Sequence, residues 1–334
     1  MERKSLLKPG TSFIDLDIVR KLSTHHDGKR EVYRCMDGKG YPYILIVYDL
    51  DSAPFNLGAN KVGWTDVTLI TEIDFLAHNQ DLPGLPKLIG YGYDEYEGHR
   101  LAWVKQEHIY AKTLADIMKW HSGRTPREAV HVLKILGDLL EKIIMFTRGS
   151  GVYNLSPDNI LVIQDPATDY IKDIYVTGLS NLGFSGVGGK RVDASTLDPH
   201  FRAPETYDND YSYRSDIYSL GMIFALILLG YPDCEILERN DNKLFREAML
   251  LKINDNFEKM LKHFMCKALK EEPFERHKSI DLFKHRISKL IVKKKTTPQE
   301  EIYFPSSEEQ NKQEIIQKQE DKKSQSDDNS TNWN

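Results

Sequence analysis

The chain has 334 residues and a formal charge of -5, and its pI near 6.1 argues against a general electrostatic nucleic-acid binder. Hydrophobic residues at 40% and charged residues at 28% are globular proportions, which excludes wholesale disorder and fibrous or collagen-like classes. Three widely spaced cysteines, Cys35, Cys234 and Cys266, fit neither a disulfide framework nor a cysteine-based zinc site and point to a reducing compartment.

The N-terminal stretch MERKSLLKPG lacks the apolar core of a secretory signal. The residues that follow read as strands with one helix. Glu31 to Met36 and Tyr41 to Leu50 are β-prone runs joined across Asp37-Gly38-Lys39-Gly40, a hairpin signal. Asp66 to Ala77 reads as a helix, with Leu69, Ile73 and Leu76 spaced to share one face. Two strands follow, Leu88 to Tyr93 and Arg100 to Gln106, with a Glu97-Gly98 turn between them.

From Thr113 the pattern is helical. Thr125-Pro126-Arg127-Glu128 is a helix start: the hydroxyl caps, proline suits the first helical position, and the glutamate reaches back. Val132, Leu136, Leu139, Leu140 and Ile143 supply a buried stripe, and Gly149 marks the stop. Short strands at Ile160 to Ile163 and Ile174 to Val176 precede a glycine-rich loop and further helices to about Leu290. The longest oily run, Leu220 to Leu229, is about half a bilayer span and reads as a buried helix, so no membrane insertion is expected. Beyond Lys293 the composition turns to Gln, Glu, Lys, Ser, Asp and Asn, which cannot bury enough apolar surface to offset ordering entropy. Within that tail, Ile302-Tyr303-Phe304-Pro305 reads either as a docking motif or as a chance cluster in a linker.

Several local motifs then resemble the eukaryotic protein kinase superfamily, over roughly Phe13 to Ile291. Val152-Tyr153-Asn154-Leu155-Ser156-Pro157-Asp158-Asn159-Ile160-Leu161-Val162 resembles the catalytic loop H-R-D-L-K-P-x-N-I-L-V. Val176-Thr177-Gly178-Leu179-Ser180 sits where D-F-G-L-S belongs, and Ala203-Pro204-Glu205 is an intact A-P-E. Ser215-Asp216-Ile217-Tyr218-Ser219-Leu220-Gly221 and Pro273-Phe274-Glu275-Arg276 match two later motifs in order. The resemblance implies a two-lobed α+β fold: a β-rich N-lobe with one main helix over 13–109 and a mainly helical C-lobe over 110–292. Residues 1–12 are an N-terminal extension and 293–334 a disordered polar tail.

By the same resemblance, Gly178, Glu205, Asp216 and Arg276 keep structural roles, with Glu205 paired to Arg276 and Asp216 bracing the catalytic-loop backbone. The chemical positions differ from the family pattern. Asn154 stands at the base position, and an amide has no titratable carboxylate. Ser156 replaces the catalytic-loop lysine. Val176 stands at the principal magnesium-ligand position, where a hydrocarbon offers no oxygen. Asn159, the second metal-ligand position, is retained and reads either as a ligand or as a brace for its own loop.

Ile46 occupies the place of the ATP-binding lysine, so Glu72 lacks its usual partner, and Lys39 is the nearest replacement. Ile44 stands where the family has a small alanine against the adenine. The phosphate-loop glycines are replaced by His25, Asp27 and Arg30, which removes the close backbone approach that glycine permits. His25, His26 and Asp27 read either as a solvated turn or as a metal site. Gly183 to Lys190 is rejected as a P-loop, because Arg191 follows where Ser or Thr belongs.

The expectation from sequence is thus a pseudokinase: no enzyme, no cofactor, ATP and magnesium binding lost or weak. It would act as a scaffold or allosteric regulator in signalling, with protein partners such as an active kinase or its substrate, in the cytoplasm or nucleus. The alternative is a residual or atypical serine/threonine kinase with weak nucleotide-dependent activity, recruiting Asp158, Asp173 or Lys39.

Overall fold

The structure, a computed structural model, describes residues 5–52, 71–119, 123–149, 151–182, 192–194, 197–232, 236–237, 241–256, 259–290, 292–293 and 302–303. The N-terminal half is a six-stranded antiparallel sheet with strand order β1-β2-β3-β4-β6-β5. Its members are β1 (Ser12–Phe13), β2 (Leu16–His25), β3 (Arg30–Asp37), β4 (Pro42–Asp49), β5 (Leu88–Tyr96) and β6 (His99–Glu107). Both hairpins expected from sequence are present; β3, β5 and β6 run longer than their apolar runs, because ladder hydrogen bonds extend pairing into the polar flanks, while β4 ends a residue short of the expected run at each end.

Alternation along these strands sorts side chains to two faces. Tyr33, Cys35, Leu45, Val47 and Leu101 point to a small outer core with Leu7, Phe13, Leu16 and Ile18. Val32, Ile44 and Ile46 point the other way, toward the main core. Leu7 is wholly buried, and its amide donates to the Tyr33 hydroxyl at 2.9 Å. The described part of the N-terminal extension, from residue 5, is therefore packed against the sheet at Leu7.

Helix α1 (Thr71–His78) crosses behind the sheet, burying Glu72, Ile73, Phe75 and Leu76. The expected start of this helix, Asp66 to Ile70, lies outside the described residues.

The C-terminal half is helical around a three-stranded sheet of β7 (Lys112–Thr113), β8 (Ile160–Gln164) and β9 (Ile171–Val176). Helix α2 (Leu114–Met118) follows β7. Helix α3 (Pro126–Phe146) starts on the capping box read from sequence: the Thr125 hydroxyl accepts from the Glu128 amide and Glu128 accepts from the Thr125 amide. Helix α4 (Tyr213–Leu229) buries residues on every side, as an all-round apolar helix must, and carries the oily run at the centre of the lobe. Helices α5 (Asn242–Asn256) and α6 (Lys259–Ala268) pack against it, and α7 (Ile280–Leu290) packs on α3 and α6. Among the described residues, no helix is long and apolar enough to cross a membrane.

The glycine-rich loop Gly183 to Lys190 and Cys234 lie outside the described residues, as does nearly all of the expected polar tail. Within the tail, β10 (Val292–Lys293) and β11 (Ile302–Tyr303) pair antiparallel.

Candidate functional site

A cavity of about 670 Å³ lies between the two halves, roofed by β2, β3 and β4 and floored by the segments around Asn159, Leu161 and Val176. Cross-strand register builds the roof. Ile46 faces Val32 on β3, and Ile44 faces Arg34, so all four side chains line the cavity. From the floor, Leu161 and Val176 complete an apolar slot that suits a flat ring.

One residue changes the electrostatics of this slot. Arg30, which faces Tyr48 across β3 and β4, donates from Nε to Glu72 Oε2 at 2.9 Å and from Nη2 to Oε1 at 2.7 Å. The Tyr48 hydroxyl donates to the same carboxylate at 2.7 Å. The expectation that Glu72 lacks a partner is therefore corrected: a cation reaches it from the neighbouring strand rather than from β4.

The pair is almost fully buried, and two buried charges hold only when geometry and hydrogen bonds are this complete. Burial opposes the Arg30 charge, but the Glu72 carboxylate outweighs it and holds the guanidinium above its ordinary range. Glu72 engages two of roughly five guanidinium N–H groups. Arg30 also lines the cavity, so a cation stands inside the cleft.

The other replacements expected from sequence fall elsewhere. Lys39, Asp158 and Asp173 do not line the cavity. The Asp158 carboxyl is raised, by burial first and then by Asp198 and Asp116. The Asp173 carboxylate accepts from the Ile174 amide at 2.8 Å.

His25 lines the cavity, with Nε2 bonded to Ser23 Oγ at 2.9 Å; its charged form is suppressed to about 3, by burial first and then by Arg30. His26 does not line the cavity and instead ties the turn to the segment around Ser180. Its Nε2 meets the Ser180 carbonyl at 2.7 Å, its amide donates to the Asp193 carboxylate, and Asp193 in turn donates from its amide to Asn181 Oδ1 at 2.7 Å. The turn is thus a bolted one, with both His26 and Asp27 at positive φ, and not a solvated loop. Its imidazoles and carboxylate do not converge as ligands: the described groups whose geometry suits a cation are Asp49, Asp51 and His99, where β4 ends and β6 begins.

Below, Asn154 is buried; its Nδ2 donates to the Gly178 carbonyl at 3.4 Å, and its Oδ1 has no partner. Asn159 Nδ2 donates to the Asn154 carbonyl at 3.0 Å and to Ser156 Oγ at 3.3 Å, so it braces its own loop. Gly178 lies so close to this pair that a Cβ there would meet Asn159 Cγ at 2.7 Å. Val176 is buried, with its amide donating to the Gly84 carbonyl at 2.7 Å.

Among the described residues, the carboxylates lining the cavity are Glu72, held by Arg30, and Glu107, which accepts from the Lys87 amide at 2.7 Å. Magnesium demands hard oxygen ligands in near-octahedral array, and this donor set does not fit it.

The supports beneath the floor are fully paired. Asp216, at the start of α4, accepts from the Val152 and Tyr153 amides at 2.8 and 2.9 Å. Burial lifts its carboxyl to about 7 against the pull of those two bonds. Arg276 and Glu205 form a bidentate pair, both contacts at 2.6 Å, and Ser215 Oγ donates to the same carboxylate.

Known proteins share this architecture. The protein kinase domain family model matches residues 59–288. Calcium-dependent protein kinase 8 of Arabidopsis thaliana is 26% identical over 48% of this chain and 28% of its own length. Calcium-dependent protein kinase 5 of Plasmodium falciparum is 24% identical over 62% of this chain and 35% of its own. The chain thus spans about a third or less of the curated relatives it matches. The crystal structure of Rad53 1-466 in complex with AMP-PNP shares the fold, with a TM-score of 0.53 and 17% identity, covering 81% of this chain and 64% of that one.

These matches overturn the expectation of a non-enzyme, because the family and the relatives are protein kinases and the cleft contains a cation that motif counting does not reveal. A two-lobed α+β architecture with a cleft between its halves and a family match over most of its length leaves one conclusion: the chain belongs to the protein kinase domain family.

Proposed function

We propose that the chain is an atypical serine/threonine protein kinase with weak, nucleotide-dependent activity that does not run through the usual carboxylate-held magnesium. The observation that carries this reading is Arg30, a buried cation lining the cleft while engaged by Glu72. Phosphoryl transfer rests mainly on positioning and on neutralising phosphate charge, and a guanidinium serves both. The other half of the reading is the base position: Asn154 carries an orphaned acceptor, Oδ1, but it is buried and outside the cavity wall, so a substrate hydroxyl reaches it only if its loop moves. The amide cannot take up the proton, and loss of a general base costs about 10²–10⁴ in rate.

A regulatory role through protein partners, an active kinase or its substrate, in the cytoplasm, goes with this slow chemistry. It is favoured by the bolted turn, where His26 joins the roof to Ser180 and Asp193. Phe274 and Tyr207, both exposed aromatics on the helical half, offer contact area.

The test is transfer of radiolabelled phosphate from ATP to serine/threonine peptides by the full chain, in magnesium and in chelator. Slow transfer is expected in both, with Asn154→Asp raising the rate about tenfold or more by restoring a base. Transfer indistinguishable from an enzyme-free blank, in the native chain and in Asn154→Asp alike, would overturn the reading.

A further inference from the structure

A second cationic feature lies at the opposite end of the cleft from Arg30. The sheet register sets Arg20 of β2 against Arg34 of β3, Arg34 against Ile44 of β4, and Ile44 against Gln106 of β6. All four line the cavity, and His108 follows just beyond β6 on the same rim. Like charges directly opposed on neighbouring strands are unfavourable. Folding alone gives no reason to place two guanidinium groups there.

Neither arginine has a carboxylate partner among the described residues. Glu107, the one acidic side chain on this rim among the described residues, accepts from the Lys87 amide. Arg34 Nε and His108 Nδ1 are both buried from solvent without a hydrogen-bond partner. Burial holds His108 in its neutral form, reinforced by the charges of Arg34 and then Arg20. A concave wall with uncompensated positive charge and an idle guanidinium N–H is suited to an anion.

We infer that Arg20 and Arg34, with His108, form a second anion subsite of the cleft, for a phosphate carried by a ligand whose ring fills the apolar slot. Arg30 meets one anionic end of that ligand and the Arg20–Arg34 pair meets another, which defines the class as a nucleotide bearing two separated phosphates. The inference rests on the reading of the cleft as a nucleotide site. A small ligand rather than a phosphopeptide is favoured because half-buried Arg34 and His108, with exposed Arg20 at the mouth, line the same cavity as the apolar slot.

Calorimetric titration of the full chain without magnesium tests it, using AMP, adenosine 2′,5′-bisphosphate, adenosine 3′,5′-bisphosphate and inorganic pyrophosphate as probes. One bisphosphate is expected to bind about tenfold or more tightly than AMP, as charge-assisted bonds to a fixed guanidinium pair allow. The double variant Arg20→Gln/Arg34→Gln should erase that gain, so that the bisphosphate binds the variant no more tightly than AMP does. Its thermal stability should equal or exceed the native chain, since the change removes a repulsion. Equal affinity of AMP and both bisphosphates, or a gain that survives the double variant, would overturn the subsite. Failure of AMP to bind would count instead against the nucleotide reading. Pyrophosphate alone then decides the subsite: binding lost in the double variant supports it, and binding absent or unchanged overturns it.

Discussion

Arg30 and Glu72 show how one position can be lost to one role and gained by another. Counted along the chain, Arg30 spoils a glycine that the phosphate loop uses. Set in the sheet, it lies across from Tyr48 and reaches the carboxylate that β4 leaves without a lysine. Removing only the cation leaves a buried, unpaired carboxylate, which costs about 3–5 kcal/mol. Arg30→Met is therefore expected to lower unfolding stability by about that much in urea titrations. Arg30→Met/Glu72→Gln should recover most of the loss, because the amide oxygen that replaces the carboxylate still accepts from Tyr48. Equal losses in the single and double variants would contradict the pairing.

The sequence contains the signal for this pair: a cation at a glycine position beside a strand with no lysine. It is not legible as compensation, because joining residues 30 and 72 needs the β3–β4 register and the seat of α1, neither of which a linear motif encodes. The partners Glu205 and Arg276, by contrast, stand in motifs of fixed order, and their residue types already suit a buried bidentate pair.

At the scale of elements, the hairpins, the capped helix α3 and the oily helix α4 follow from turn chemistry and periodicity, which are local. The packing of the N-terminal stretch does not. Leu7 sits in a polar context, and only the outer face of the sheet makes it a core residue. Leu7→Ala should cost about 2–5 kcal/mol, as truncation of a fully buried leucine does, whereas a trailing extension would show no change in unfolding.

The β2–β3 turn is likewise an element whose state the sequence leaves open between a solvated loop and a ligand cluster. Burial holds His26 in its neutral form, below its ordinary value of 6.5, although its bond to the Ser180 carbonyl pulls the other way. On acidification below about 6.5 the unfolded chain takes up the proton first, so this contribution to stability is present above that pH and lost as pH falls. Asp216 acts with the opposite sign over about pH 4 to 7, its raised carboxyl binding a proton in the folded state first. A comparison of variants cancels that term. His26→Gln keeps an N–H for Ser180 without titrating, so its stability should fall less than that of the native chain between pH 7 and 5. Parallel pH profiles would show that His26 is not the bolt.

At the scale of the molecule, the two halves and the cleft between them are legible from motif order, and so is the polar character of the loop that carries Asn154, Ser156 and the floor residue Asn159. The charge of the roof is not, because Arg20, Arg30 and Arg34 become neighbours of the cleft only through the alternation and register of β2 and β3. The consequence is a kinase-family cleft whose cations come from protein side chains and whose described carboxylates are engaged elsewhere. Nucleotide affinity should then owe nothing to a divalent ion. Thermal unfolding of the full chain, titrated with ATP in chelator and in excess magnesium, measures this directly. Ligand at 100 times its dissociation constant adds about 2.7 kcal/mol of stability, which the midpoint reports. The expected result is the same upward shift in both buffers. A shift that appears only with magnesium, or a midpoint that stays flat to millimolar ATP in both, would contradict the account.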